Sequence, residues 1–391
     1  MTLLSIIVPT HNRASCAVQT IKTLLALPDD VQIVVCDSSP IDEITPNFLN
    51  LYPESRLKLV RSEQGISVVE NFNLGLDSCD GEYLVFIGDD DFVTKEIVEV
   101  AKWASLNKVD SLKFNFSALY YWHDYTHATR GDSYSGTLHV SPFTGAVSNH
   151  DISKSISYAL DNFGGGVFDM PRAYAGMISS SLASSIVKKY GSLFGGVSPD
   201  IYSSFLISNE AKNCKWIDYP VIIPGASGLS TTGQSNSGAH YGKLRDNPHI
   251  APFKNLVWDS RIPEFYSVPT VWSYSLLQAI EQVERIGGEK VDPNFSRLIL
   301  KCFVYHPKSY RENSVALKNL FAEFGVLKFS MKILASVGTE FLWGASRVIN
   351  RIKARYIKKE VDVIYNLETS LDASFAFELY LKKKSIKLNL S

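Results

Sequence analysis

The chain has 391 residues, room for two or three ordinary domains or one large domain with an extension. Apolar residues at 45% and charged residues at 20% exclude wholesale disorder. Thirty-nine basic against forty acidic side chains leave a net charge of −1, which excludes the basic footprint of a general nucleic-acid binder. Cys16, Cys36, Cys79, Cys214 and Cys302 are scattered and form no C-x-x-C pair, so neither a disulfide framework nor a zinc finger is expected. The opening Met1–Pro9 lacks the basic start of a signal peptide, and no apolar run reaches the length of a spanning helix. A cytoplasmic protein is expected.

In chain order, Leu3–Val8 is a continuous β-branched run that stops at Pro9, the pattern of a strand buried on both faces. Ala14–Leu27 has helical spacing through Val18, Ile21, Leu24 and Leu25. Gln32–Cys36 is a second strand with Asp37 at its tip, and Ile41–Leu51 is a short helix. Leu57–Val60 is a third strand, Ser67–Leu76 a helix with Val68, Phe72 and Leu76 on one face, and Tyr83–Ile87 a fourth strand. This alternation predicts an α/β fold with a doubly wound, mostly parallel sheet and helices on both faces.

Such sheets bind ligands outside the carboxyl ends of their strands. There this chain places Thr10, His11, Asn12 and Arg13, then Asp37, then Asp89, Asp90 and Asp91. Phosphate-loop and dinucleotide glycine signatures are missing after the first strand. Three adjacent carboxylates repel one another, and a divalent cation relieves that repulsion while keeping positions open for substrate phosphates. The alternative is a solvated acidic turn capping the following helix.

Three segments then carry a resemblance. They are Ser5-Ile-Ile-Val-Pro9-Thr10-His11-Asn12-Arg13, Val34-Val35-Cys36-Asp37-Ser38-Ser39, and Gly81-Glu82-Tyr83-Leu84-Val85-Phe86-Ile87-Gly88-Asp89-Asp90-Asp91. Together with Gly65–Gly75, which contains Asn71 and Asn73, they resemble the family 2 inverting glycosyltransferases of the GT-A fold, of the bacterial surface-polysaccharide type. Cys36 stands where that family has a first acidic residue, and the arginine frequent in the Gly65–Gly75 helix is not evident. The resemblance implies a nucleotide-sugar donor, UDP-linked in first place, held by Pro9, Thr10, His11, Asn12, Arg13, Asp37, Asn71, Asp89 and Asp90. It implies manganese or magnesium on Asp91 and Asp89, with His240 joining from a loop. It also implies a hexosyl or N-acetylhexosaminyl transfer to a glycan or lipid-linked glycan, in capsule or lipopolysaccharide synthesis.

An inverting displacement needs one carboxylate base. In this family it stands about a hundred residues after the metal motif, and Asp200 in Gly195-Gly196-Val197-Ser198-Pro199-Asp200-Ile201-Tyr202 matches that place. Ser198-Pro199-Asp200 also reads as a plain helix start. Asp169 and Asp218 are the other choices. His123 and His127 stand at i, i+4 in strand-like surroundings and are taken as a chance pairing. Gly164–Gly166 is expected to be a flexible segment at the acceptor cleft, and Asp110–Trp122 one strand.

The organisation expected is a transferase domain over 1–262, with a nucleotide half 1–100, an acceptor half 101–225 and a flexible loop 225–262, followed by a helical extension 263–391. Residues 327–359 carry eight basic side chains and one acidic side chain, with an apolar stripe from Phe341 to Tyr356. That pattern suits the surface of an anionic inner membrane, met through residues 341–359. The last stretch is expected to be a docking helix or an added strand. The oligomeric state is not legible. A nucleotidyltransferase on a similar sheet and a non-catalytic glycan-binding protein are the competing classes.

Overall fold

In β1 (Leu4–Thr10), Ile6 and Val8 face one hydrophobic cluster and Ile7 the other. β2 (Val31–Asp37) alternates in the same way, with Ile33 and Val35 on one side and Val34 and Cys36 on the other. Apolar residues at every position are therefore needed, because each face of the sheet is covered. The computed structural model describes residues 2–48, 56–62, 65–228, 230, 241–356 and 361–390, with backbone alone for 350–356.

The first half continues as α1 (Ala14–Leu25), placed between β1 and β2, then α2 (Thr45–Phe48), β3 (Leu57–Arg61), α3 (Val68–Asp77), β4 (Tyr83–Phe86), β5 (Phe92–Val93) and α4 (Glu96–Leu106). The predicted strands and long helices of this half are present. Of the expected helix over 41–51, the described residues form the single turn α2, and 49–51 lie outside the described residues. Ser67 starts α3 through a capping box with Glu70, which satisfies two backbone donors at the helix start. Gly75 lets α3 lie directly on β1, since a Cβ there would stand 2.6 Å from Ile7 Cγ2.

Next come β6 (Ser111–Phe114), β7 (Ala118–Tyr121), β8 (Thr137–Val140), β9 (Val147–Asn149), α5 (Ile152–Asp161), β10 (Gly176–Ser179), α6 (Ser180–Tyr190), α7 (Pro199–Glu210), β11 (Cys214–Ile217), β12 (Ile222–Ile223) and β13 (Gly225–Ala226). The central sheet runs β3-β2-β1-β4-β10-β6-β11-β9. β3, β2, β1 and β4 are mutually parallel, as are β6 and β11, while β10 and β9 pair antiparallel. The stretch 110–122 is two strands rather than one. β6 joins the central sheet, and β7 pairs with β8 and β13 in a second sheet.

The chain then becomes helical: α8 (Val268–Arg285), α9 (Phe295–Tyr305), α10 (Tyr310–Phe324) and α11 (Val326–Tyr356). It ends by returning. β14 (Asp362–Ile364) pairs antiparallel with β8, and α12 (Ser370–Lys384) packs on α1 and β5. Both expected forms of the last stretch, helix and added strand, are thus present. Gly164 is a tight packing point and not a loose cleft segment, because a Cβ there would meet Ser273 Oγ at 2.7 Å and Pro269 O at 2.8 Å. Among the described residues, no helix is long and apolar enough to cross a membrane.

Candidate functional site

The parallel register sets the site. Thr10 lies opposite Asp37 at the tips of β1 and β2, and β4 runs out beside them into Gly88 and the three aspartates. All three are buried, at 3%, 4% and 4% exposure, so the acidic cluster is no solvated turn. Asp89 accepts from Thr10 Oγ1 at 2.6 Å and pairs with Arg13 at 2.7 Å. Asp90 pairs with the same guanidinium at 2.7 Å and accepts from Ser227 Oγ at 2.8 Å. Asp91 is held by backbone donors, Gly88 N at 2.7 Å and Gly225 N at 2.8 Å. Thr20 and Trp122 bind the backbone carbonyls of the turn.

One arginine thus pairs with two of the three carboxylates, and Asp91 is left to backbone donors. Burial, opposed by Arg13 and reinforced by Asp90, pushes the Asp89 carboxyl up; burial and Asp90 push Asp91 up. Arg13 resists its own burial through Asp89 and Asp90 and is held above its ordinary value.

Gly88 marks the open point of this cluster. A Cβ built there would lie 2.9 Å from Tyr174 Oη, 3.0 Å from Asp91 Oδ2 and 3.1 Å from Asp90 Oδ1. Three oxygens converge on space that only glycine leaves free. Among the described residues, no three His, Cys, Asp or Glu side chains form a closed metal cage. A hard cation of the magnesium type does not require one, since one or two carboxylates plus substrate phosphates suffice. Asp90 and Asp91 fit that donor set. Asp89 faces Thr10 and Arg13, and His240 lies outside the described residues.

The neighbouring loops are cross-braced. His11 Nδ1 lies 3.0 Å from Ser38 O, and Asn12 N donates to Ser39 Oγ at 2.7 Å. Both Asp37 oxygens are engaged, one by Ser39 and the other by Arg61. Asn71 donates to Cys36 O at 3.0 Å, while its buried Oδ1 has no hydrogen-bond partner. Pro9 closes the end of β1 opposite Cys36.

Asp200 sits in the first turn of α7, whose start is set by Ser198 and Pro199; the Ser198 side chain makes no capping bond. Burial pushes its carboxyl up, against the attraction of Arg172 and backbone donors. The Tyr174 phenol joins the two groups. It is driven far above its ordinary value by burial and then by Asp91, Asp90, Asp200 and Asp89. Asp200 and the triplet are thus both electrostatic neighbours of Tyr174. The other two choices for a base are structural. Asp169 is locked by Lys113 and Ser155, which outweigh its burial and hold it low, beside a surface recess of about 260 Å³. Asp218 ties Asn115 to Thr144.

Residues 5–116 match the family described as Glycosyl transferase family 2. An uncharacterized glycosyltransferase of Rickettsia conorii is 25% identical over 148 residues, 37% of this chain, and the chain spans 23% of that relative's length. Among solved structures, Staphylococcus aureus TarS 1–349 in complex with UDP-GlcNAc is similar at a TM-score of 0.45 and 15% identity, over 86% of this chain and 80% of that one. The mannosyltransferase PcManGT from Pyrobaculum calidifontis, in complex with GDP-Man and Mn2+, is similar at 0.39 and 13% identity, over 90% and 84%.

The matched segment ends before several groups that shape the site. Gly225, Ser227, Tyr174 and Arg172 were not singled out by sequence reasoning. Gly225 and Ser227 belong to the glycine- and serine-rich stretch read only as a loop. Arg172 and Tyr174 had no motif to reveal them. Arg172 is 6% exposed, makes no salt bridge among the described residues, and its Nε has no hydrogen-bond partner. Its guanidinium lies over the rings of Phe116 at 5.1 Å and Phe168 at 5.5 Å. Two such contacts contribute about 1–4 kcal/mol together. An unpaired buried charge costs several kcal/mol. The His123 and His127 pair forms no metal site: His123 meets Glu368 O and His127 lies in a turn.

Proposed function

We propose that this protein is an inverting, cation-dependent glycosyltransferase. It moves a hexosyl or N-acetylhexosaminyl group from a nucleotide-sugar, UDP-linked in first place, to a hydroxyl of a glycan or lipid-linked glycan. The observation that carries the reading is the buried triplet Asp89, Asp90 and Asp91 at the tip of β4, braced by Arg13, Ser227 and Gly225, with Asp200 offered from the first turn of α7.

In this reading Pro9, Thr10, His11, Asn12, Asp37 and Asn71 line the nucleoside, and Asp89 and Arg13 meet the ribose and diphosphate. Asp90 and Asp91 would hold the divalent cation, which supplies positive charge to the departing diphosphate. The acceptor hydroxyl gives its proton to Asp200. Its oxygen forms the new bond to the anomeric carbon as the carbon–oxygen bond to phosphate breaks, and that electron pair leaves on the nucleoside diphosphate. The raised Asp200 suits this task, because a base closer to neutrality takes a hydroxyl proton more readily. Domain limits of 1–262 and 263–391 are part of the proposal.

The setting proposed is the synthesis of a surface polysaccharide on the inner face of an anionic membrane. Helix α11 supports it. Its outer face exposes Leu327, Met331, Leu334, Phe341, Leu342, Val348 and Ile349, spaced by about one turn, with Lys328 and Arg347 alongside. A thermal-shift titration with UDP-, GDP- and CDP-sugars, with and without manganese, tests the donor reading. Stabilisation by one nucleotide class that depends on manganese and is lost in Asp91→Asn is expected. No response to any nucleotide-sugar would overturn it.

A further inference from the structure

We propose that Arg172 is an anion-recognition residue of the acceptor cleft, so that the acceptor presented to Asp200 carries a carboxylate or phosphate group near the hydroxyl it offers. This rests on the transferase reading above.

The argument begins with what Arg172 lacks. It stands in the turn between the short helix Val167–Asp169 and β10, enclosed to 6% exposure, without a salt bridge among the described residues. Its guanidinium carbon lies over the rings of Phe116 and Phe168. Stacking of that kind uses no N–H group, so the planar fork of donors is left for a ligand. Nε, buried and without a partner, is one of those donors. The two rings are themselves open to solvent, at 39% for Phe116 and 55% for Phe168, and Trp272 stands edge-on to Phe168 at 4.9 Å. A buried cation without an ion pair, beside exposed rings, puts apolar surface suited to a sugar face next to a fork suited to an oxyanion.

The two arginines of the site divide its charge. Arg13 is committed to Asp89 and Asp90. Arg172 is committed to none of them, and the carboxylate that acts on it is Asp200. In a direct displacement the attacking oxygen and the leaving diphosphate stand on opposite sides of the anomeric carbon. A residue on the Asp200 side therefore addresses the acceptor and not the diphosphate. Arginine holds a carboxylate or phosphate through two parallel N–H bonds, which fixes orientation as well as position. An acidic group so held would orient the acceptor hydroxyl toward Asp200.

The test is direct binding to the full chain, without donor, by calorimetry or saturation-transfer NMR. Methyl β-D-glucuronide and methyl glucoside 6-phosphate are compared with neutral methyl glucoside and with inorganic phosphate. The acidic glycosides should bind wild type at least ~10-fold more tightly than the neutral one, the increment of a charge-assisted hydrogen bond. Arg172→Gln should erase the difference, and Arg172→Lys, which keeps charge but loses the fork, should retain part of it. Thermal melting of both variants checks that the fold persists. Equal binding of acidic and neutral glycosides by wild type, or a preference that survives in Arg172→Gln, overturns the proposal. Inorganic phosphate binding as tightly as the phosphorylated glycoside overturns the acceptor assignment. No donor is present, so the result stands apart from the transferase reading: nucleotide release with no acid preference would sink this inference alone.

Discussion

A carboxyl group raised by burial works against the fold that holds it, and Asp200 is such a group. The folded protein binds its proton up to a higher pH than the unfolded chain, whose value is about 3.9. Stability from this group is thus present at low pH and lost as pH rises through the raised value, so at neutral pH its ionised form is a cost. Asp200→Asn should leave the melting temperature unchanged or higher while cutting turnover by at least ~100-fold. A fall in melting temperature with turnover intact would mean that Asp200 serves only the start of α7. Activity has the opposite pH sense, because the base must be ionised. Turnover should decline on the acid side at a pH above 3.9, the ordinary aspartate value, and a profile of kcat against pH reads it. The start of α7 was legible from Ser198-Pro199-Asp200, which reads as a helix start. Arg172 was not: its meaning is the absence of a partner, and absence of a contact has no signature in sequence.

At the scale of elements, the short strand β13 does more for the site than its two residues suggest. Gly225 donates to Asp91 and lies so close to the turn that a Cβ would stand 1.9 Å from Asp90 O. Gly225→Ala should therefore push β13 off the aspartates, and manganese-dependent stabilisation by the donor should disappear. Retention of that response would show that the strand is not needed to shape the cluster. The strands β1 to β4 and the helices α1 and α3 were readable because each has an unbroken periodicity and a clear stop. The stretch 110–122 was read as one strand because its apolar residues run on past Phe114. The break at Asn115–Ser117, where the chain leaves the central sheet for β7, has Phe116 between its two polar residues and contains no glycine or proline to announce it.

At the scale of the molecule, the chain closes on itself. α12 buries Phe377 at 1% exposure in the cluster that also holds Ile6 and Val8. Phe377→Ala should cost about 3–5 kcal/mol of stability, measured by urea denaturation. An effect below the cost of an exposed substitution would show the terminal helix to be an appendage. Pairing of residue 363 with residue 139 spans too much sequence for periodicity to reveal. The basic helix was legible as a pattern but not as a surface. The structure adds that Phe329 and Ser336 face inward, Arg297 grips Glu340, and Phe341, Leu342, Val348 and Ile349 of the apolar stripe are exposed. If that stripe meets anionic lipid, each basic residue contributes about 1 kcal/mol near the surface. Arg347, Arg351, Arg355 and Lys358 changed to Glu should release the protein from anionic vesicles in co-sedimentation. Wild type that stays in the supernatant with anionic and neutral vesicles alike would contradict the membrane setting.

The central claim is that Asp90 and Asp91 with a cation serve the departing diphosphate while Asp200 activates an acceptor. Product analysis tests it most directly. Purified full-length protein is incubated with UDP-, GDP- and CDP-sugars and a glycan acceptor pool, with manganese or with excess chelator. Free nucleoside diphosphate and pyrophosphate are quantified together. The account predicts nucleoside diphosphate from one donor class, dependent on manganese and acceptor, and abolished in Asp91→Asn and Asp200→Asn. Pyrophosphate as the product, or nucleoside diphosphate released equally by wild type and Asp200→Asn, would contradict it.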